Sequence, residues 1–337
     1  MAILVTGGAG YIGSHTVVQL LEANHEVVVL DNLCNSKAEV INRIERIAGK
    51  RPHFIEGDVR DRTVLQMIFA KHSIDAVIHF AGLKSVAECS VKPLLYYENN
   101  VGGSITLAQE MARAQVYTLV FSSSATVYGE PVFLPYTEEH PLKPINVYGH
   151  SKLMVEQMMQ DLAISNAQWR IALLRYFNPV GAHESGLIGE DPAGIPNNLM
   201  PFLTQVAVGK REYLSIFGDD YETVDGTGVR DYIHVDDLAS GHLASLVYLK
   251  KSPGVLTVNL GTGDGISVLE LVHAFEIASG KPIAKKMVGR RPGDLPEYYA
   301  QADFAKQVLG WQAQHGIDRM CTDSWRWQSL NPQGFAG

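Results

Sequence analysis

The opening of the chain leaves little choice of architecture. Ala2-Ile3-Leu4-Val5-Thr6 is a short apolar run of β-formers, followed at once by Gly7-Gly8-Ala9-Gly10-Tyr11-Ile12-Gly13 and then by a helical pattern to about Leu21. A strand, a glycine-rich turn and a helix in that order let backbone N–H groups and the positive end of the helix approach a pyrophosphate. A Cβ at the glycine positions would block that approach. The spacing reads both as Gly-x-x-Gly-x-x-Gly (Gly7, Gly10, Gly13) and as Gly-x-Gly-x-x-Gly (Gly8, Gly10, Gly13). Alone such a match is weak. It gains weight from Glu26-Val27-Val28-Val29-Leu30, a second buried strand that ends at Asp31, eighteen residues after Gly13. A carboxylate there accepts hydrogen bonds from an adenosine ribose diol and repels a 2′-phosphate. The stretch is therefore expected to bind a dinucleotide, NAD rather than NADP.

The alternation continues through candidate strands at 53–59, 75–82, 117–121 and 170–177, separated by helical patterns at 61–72, about 94–114 and from Tyr148 onward. Strands alternating with helices predict an α/β fold: a doubly wound parallel sheet of the Rossmann type, with ligands at the carboxyl ends of the strands. Asp31, Asp58, Gly82, Ser124 and Asn178 all fall at such ends, so one crevice can collect them. After Asn178 the texture changes, with Pro179, Pro192, Pro196 and Pro201 and several glycines breaking the pattern. Residues 1–178 read as the dinucleotide-binding domain and 179–337 as a smaller mixed α/β substrate lobe. Strand-like segments at 230–235 and 255–260 are expected to return to the main sheet.

Composition narrows the function classes. A net charge of -8 without any Lys/Arg-rich run argues against nucleic acid or an anionic membrane as partner. Cys34, Cys89 and Cys321 are far apart and without metal or redox spacing, which reads as reduced thiols. The twelve histidines form no His-x-x-x-His or His-Glu-x-x-His pattern, so no metal is expected. The chain opens on a strand pattern with no charged segment and apolar core of an export signal before it, and cytoplasm is the expected compartment.

Tyr148 and Lys152 lie four residues apart at the start of an amphipathic helical pattern, so phenol and ammonium share one face. A positive charge ~5 Å from a phenol, at an effective dielectric of about 20, favours the phenolate by roughly 3 kcal/mol, or about two pKa units. The pair could then take a proton from a hydroxyl near neutral pH. Five residues alone fit an ordinary surface helix as well. Likewise Arg230 and Arg291 suit a diphosphate and Asp294 a ribose diol, or else they are solvated charges on loops.

Taken together, Gly7-x-x-Gly10-x-x-Gly13, Asp31, Asp58, Asn99, the run from Ser122 to Gly129, Tyr148-x-x-x-Lys152 and Arg175-Tyr176-Phe177-Asn178-Pro179 resemble the extended short-chain dehydrogenase/reductases. Within that group the residues 31–36, 194–201, 226–235 and 291–294 resemble the UDP-galactose 4-epimerases, and the likeness runs nearly end to end. The resemblance implies interconversion of UDP-galactose and UDP-glucose through transient oxidation at the sugar C4 by bound NAD, in a homodimer. It implies Tyr148 as acid/base, Ser124 as its hydrogen-bonding partner and Lys152 as the cation that lowers the phenol's pKa and holds the nicotinamide ribose. It implies a NAD site built from Gly7, Gly10, Tyr11, Ile12, Gly13, Asp31, Asn32, Leu33, Cys34, Asn35, Ser36, Asp58 and Val59. Phe80, Ala81, Gly82, Leu83, Lys84, Asn99, Ser124, Tyr148, Lys152 and Phe177 complete it. It implies a UDP-sugar site from Ser124, Tyr148, Asn178, Asn198, Leu199, Ile216, Phe217, Arg230, Arg291, Asp294 and Tyr298. Tyr176 and Tyr298 read equally well as core aromatics. Ser124 is followed by Ala125 and Thr126, where the nucleotide-sugar dehydratases of the group carry an Asp and a Glu, so elimination of water is disfavoured.

Overall fold

The computed structural model describes residues 1–291 and 293–335. In chain order its first half contains β1 (Ala2–Thr6), α1 (Tyr11–Glu22), β2 (Glu26–Asp31), α2 (Glu39–Ala48), β3 (His53–Glu56), α3 (Arg62–Lys71) and β4 (Ile74–His79). Then come α4 (Val86–Val91), α5 (Pro93–Tyr96), a π-helical turn (Tyr97–Gly102), α6 (Gly103–Arg113), β5 (Thr118–Ser124), α7 (Val147–Ser165) and β6 (Arg170–Tyr176). The second half holds β7 (Asn178–Val180), α8 (Leu199–Ala207), β8 (Leu214–Phe217), β9 (Val229–His234), α9 (Val235–Leu249), β10 (Gly254–Leu260) and β11 (Gly265–Ser267). It closes with α10 (Val268–Ser279), β12 (Lys285–Val288), β13 (Glu297–Tyr298), α11 (Asp303–Leu309) and α12 (Ile317–Leu330).

Seven strands form one sheet in the order β10-β6-β5-β4-β1-β2-β3, and every pairing in it is parallel. The period-2 alternation of the central strands divides two cores. Ile3, Val5, Val27, Val29, Ala76 and Ile78 point to one face, where residues of α1, α2 and α9 cover them. Leu4, Val28, Leu30 and Val77 point to the other, beneath residues of α3, α6 and α7. A sheet buried on both faces explains why β1 and β2 read as unbroken apolar runs.

One sequence expectation needs correction. The segment 255–260 does return to the main sheet, as β10 beside β6, but 230–235 does not: β9 pairs with β7, β11 and β13 in a separate four-stranded sheet. The expected helical stretch over about 94–114 is present, with a π turn at Tyr97–Gly102 inside it. A wider turn of this kind rotates the side chains beyond it, and here it carries Asn99 and Asn100. No helix among the described residues is long and apolar enough to cross a membrane.

Candidate active site

The carboxyl ends of the main strands open into a cavity of about 360 Å³. Its floor is the turn between β1 and α1. Gly7 has φ +72°, and a Cβ there would lie 2.7 Å from the Ala81 N; at Gly13 a Cβ would lie 2.3 Å from the Gly7 O. Both positions admit only glycine, and Gly10 and Gly13 line the cavity at the start of α1. The backbone is thus bare where a pyrophosphate would come closest, and the residues present fit a dinucleotide. Asp31, at the end of β2, is buried and takes N–H groups from Ala9 at 3.0 Å and Leu33 at 2.9 Å and the Ser36 hydroxyl at 2.8 Å. These bonds fix the carboxylate in the wall between the glycine turn and the loop of Asn32, Cys34, Asn35 and Ser36.

The Tyr148 end of the cavity is set by the start of α7. Asn146 caps the helix, its side chain accepting from Gly149 N at 2.8 Å, so Tyr148 falls in the first turn and Lys152 one turn on. A Cβ at Gly149 would lie 2.8 Å from the Thr126 O, so only glycine lets this turn pack against the segment after β5. The Ser124 side chain faces the Tyr148 phenol closely enough to lower its pKa, and its Oγ receives a hydrogen bond from Thr126 Oγ1 at 2.9 Å. The buried Lys152 Nζ donates to the Ser122 O at 2.6 Å and sits 5.8 Å from the centre of the Tyr148 ring. Beneath lies a buried ion pair, Arg175 Nη2 to Glu156 Oε2 at 2.6 Å, with Ser123 Oγ donating to Glu156 at 2.5 Å.

The expected low pKa of Tyr148 is not a property of the protein groups alone. Burial pushes the phenol up to about 12, and the Ser124 side chain only partly offsets it. Burial also brings the Lys152 ammonium down to about 8, against the favourable charge of Glu156. Desolvation disfavours both charged forms.

A second cavity of about 620 Å³ opens from the first, with Asn178, Pro179 and Asn198 in the walls of both. Leu199, Ile216, Phe217, Arg230, Arg291 and Asp294 line it. Arg230 Nη1 donates to the Leu295 O at 2.9 Å. Arg291 lies over the Phe217 ring at 4.6 Å and its Nε donates to Asp294 at 2.9 Å, so these two candidates are paired with each other across an exposed edge. Pro292, in the same sequence motif, lies outside the described residues.

Most candidates therefore meet: Tyr11, Ile12, Val59, Phe80, Ala81, Gly82, Leu83, Lys84, Asn99, Ser124, Tyr148, Lys152 and Phe177 all line the first cavity. Three do not. The Asp58 carboxylate is taken by Arg60, at 2.8 Å from Nη2, and by Asn32, which holds it down to about 2, while Gly57 and Val59 make the cavity wall. Leu33 has φ +58° and turns its side chain onto the core. Tyr298 packs 5.0 Å from Tyr136 and 5.3 Å from Phe177, partly buried, its hydroxyl without a partner among the described residues. It is not among the residues lining either cavity.

Several wall residues carried no sequence signal. Glu190 accepts from Lys84 at 3.1 Å and from Asn198 at 2.7 Å, joining the two cavities. Behind the wall, Asn100 receives Leu83 N at 2.8 Å and donates to Ser151 at 3.1 Å, fixing the loop after β4. Ligand atoms of Glu26, His53 and His72 do come within 4.8 Å of one another, a cluster that no sequence spacing signals. They sit at the amino-terminal edge of the sheet, opposite the cavities. Two of them are exposed, and the charge of Lys71 acts on His72, an arrangement that disfavours a cation.

Comparison with known proteins agrees with this geometry. The profile of the NAD dependent epimerase/dehydratase family matches residues 3–261. The UDP-glucose 4-epimerase of Yersinia pestis is 58% identical over 336 residues, 99% of both chains, and that of Bacillus subtilis is 57% identical with the same coverage. The crystal structure of UDP-glucose 4-epimerase from Bifidobacterium longum in complex with NAD+ and UDP superposes with a TM-score of 0.96 at 50% identity, over 99% of this chain and 100% of that one. The enzyme from Stenotrophomonas maltophila, solved with bound NAD and formylated UDP-arabinopyranose, gives 0.97 at 51% identity over 99% of each chain. Identity of this degree across the whole length reaches well past a shared sheet order, and the chain belongs to the NAD dependent epimerase/dehydratase family.

Proposed function

We infer that the protein interconverts UDP-galactose and UDP-glucose by transient oxidation at C4 of the sugar, with NAD as its cofactor. The observation that carries this reading is a junction: Tyr148, Ser124 and Lys152 stand in the glycine-turn cavity, which meets the arginine-lined cavity at Asn178 and Asn198. Relatives that match the chain end to end are UDP-glucose 4-epimerases.

When bound, NAD supplies the electron acceptor that makes oxidation at C4 reversible. The chain's own groups divide the remaining work. Asp31 would hold the adenosine ribose and the Gly7–Gly13 turn the pyrophosphate. Tyr148, aligned by Ser124, exchanges the proton of the sugar 4-hydroxyl. Lys152, anchored on the Ser122 O, sets a positive charge beside the phenol. Arg230 and Arg291 grip the diphosphate and Asp294 a ribose diol, leaving the sugar held by few groups near Asn178 and Asn198. A fixed nucleotide with a loosely held sugar lets either face of C4 be presented, as inversion at one carbon requires. Ala125 and Thr126 after Ser124 offer no acid/base pair, so water is not eliminated.

In this reading residues 1–178 supply most of the cofactor site and 179–337 most of the UDP-sugar site, with α9 and β10 packing back on the first part. The protein acts in the cytoplasm as a homodimer. Exposed apolar side chains on α5, α6 and α7, among them Leu94, Ile105 and Met154, support self-association, which sedimentation velocity tests. The deciding experiment incubates the purified protein with UDP-galactose, adding no NAD, and follows the anomeric protons by NMR alongside NADH absorbance. One common mixture reached from either sugar nucleotide, without NADH accumulating, is the expected outcome. NADH rising with sugar loss would make the protein a dehydrogenase, and no change in the sugar would make it a binding protein.

A further inference from the structure

The segment beyond α12 folds back over the dinucleotide cavity. Phe335 is buried and forms part of the wall, near Asp31, Ser36, Lys37 and Val40 at the end where the adenosine ribose would lie. Its backbone is held on both sides: Phe335 N donates to Asp191 Oδ2 at 2.9 Å, and Lys37 Nζ donates to the Phe335 O at 2.9 Å. Lys37 and Asp191 close the ring of contacts with an ion pair at 3.2 Å. Gly334 has φ +76°, and a Cβ there would lie 2.2 Å from the Asp191 carboxylate, so the segment runs directly against that side chain. The Phe335 ring packs 4.6 Å from Trp327, with the Arg43 guanidinium over it at 4.9 Å. Arg43 in turn donates to the Leu187 O at 2.9 Å and to Asn331 at 2.6 Å.

These contacts tie together three pieces that approach from different parts of the chain: the loop and helix after β2, the loop at 187–191, and the segment after α12. Each contributes a wall of the same cavity end. Fixing the segment this firmly far from the reacting carbon serves no step at the sugar, but it narrows the exit for a ligand seated along Asp31.

We propose that Phe335 is a cofactor-retaining residue: with Lys37 and Asp191 it forms a clasp over the adenosine end of the dinucleotide and slows its release. This rests on the reading of the first cavity as the NAD site. Because Lys84 and Asn198 both reach Glu190, next to Asp191 in sequence, the clasp also abuts the loop that borders the sugar cavity.

The test is the rate at which NAD leaves the purified protein after dilution, sampled by rapid desalting and quantified in the released fraction. Phe335→Ala should release NAD about tenfold faster than the parent, by loss of an aromatic wall from a ligand pocket. Lys37→Met, which frees the segment from the opposite side, should also release it faster, and Phe335→Tyr should match the parent. Activity lost by Phe335→Ala on dilution should return when NAD is added. Equal release rates for the parent and Phe335→Ala would overturn the clasp. So would fast release by Phe335→Ala and Phe335→Tyr alike, with the NAD-free proteins melting equally low, since that marks a merely structural role. A parent protein carrying no NAD at all would instead remove the reading of the cavity, and this inference with it.

Discussion

Replacing Lys152 by Met removes the charge that the structure sets beside Tyr148 on the same helix face. The Nζ lies 5.8 Å from the ring centre. Over that distance, at an effective dielectric of about 20, a unit charge favours the phenolate by roughly 3 kcal/mol, equivalent to about two pKa units. In the Lys152→Met protein the ionisation of Tyr148 should therefore move up by about two units. A cation favours the anionic phenolate, so its loss raises the pKa, in the same direction as the burial that already pushes the phenol up to about 12. The assay is the rate of UDP-galactose conversion, per bound NAD, across the pH range in which the protein stays folded. Below about pH 8, where the Lys152 ammonium carries its charge, the acid limb of the profile should shift upward by about two units, which amounts to a rate about a hundredfold lower there. Normalising to bound NAD separates this effect from loss of cofactor. An acid limb that superimposes on the parent's would refute the reasoning, because Lys152 would then act only as a tether.

The same geometry makes four further outcomes testable. Tyr148→Phe should lower the rate by about 10²- to 10⁴-fold with NAD retained, the usual range for a lost proton-transfer group; kinetics and cofactor content measured together check it. Glu156→Gln leaves Arg175 unpaired where both side chains are buried, and should cost about 3–5 kcal/mol in a urea titration. At Gly13 an added Cβ meets the Gly7 carbonyl oxygen at 2.3 Å, so Gly13→Ala should be purified nearly free of NAD, as read from absorbance after denaturation. Arg230→Met should raise KM for UDP-galactose about tenfold or more, by loss of a charge-assisted contact, while NAD content stays level. A parent-like KM would move the diphosphate elsewhere.

The parts legible in the sequence were those whose meaning is local. The glycine turn needs only the strand before it and the helix after it, and Tyr148-x-x-x-Lys152 needs only helical geometry. What lay hidden depends on neighbours distant in the chain. β9 has strand-forming residues wherever it goes; its partners are chosen by packing, and it took β7, β11 and β13 in place of the main sheet. Glu190, Asp191 and Phe335 lie in stretches without periodicity, and only the tertiary fold makes them walls of a cavity. Asp58 sat at the right end of a strand, yet Arg60, two residues on, took its carboxylate. The pKa of Tyr148 escapes the sequence for a related reason: spacing gives the distance to a charge, whereas burial is decided by everything else that packs around it.

The wide turn at Tyr97–Gly102 sets the angular frame of the helix beyond it. Each residue of an α-helix advances the face by about 100°, and a π turn accommodates one residue more than a regular turn would. Deleting a single residue from this stretch would let the backbone relax to an ordinary helix, with little disturbance to the strands on either side. It would also swing Asn99 out of the cavity wall and Asn100 away from Leu83. The segment is thus a reading frame within one helix, in which a lost residue could be silent for folding and decisive for the cleft.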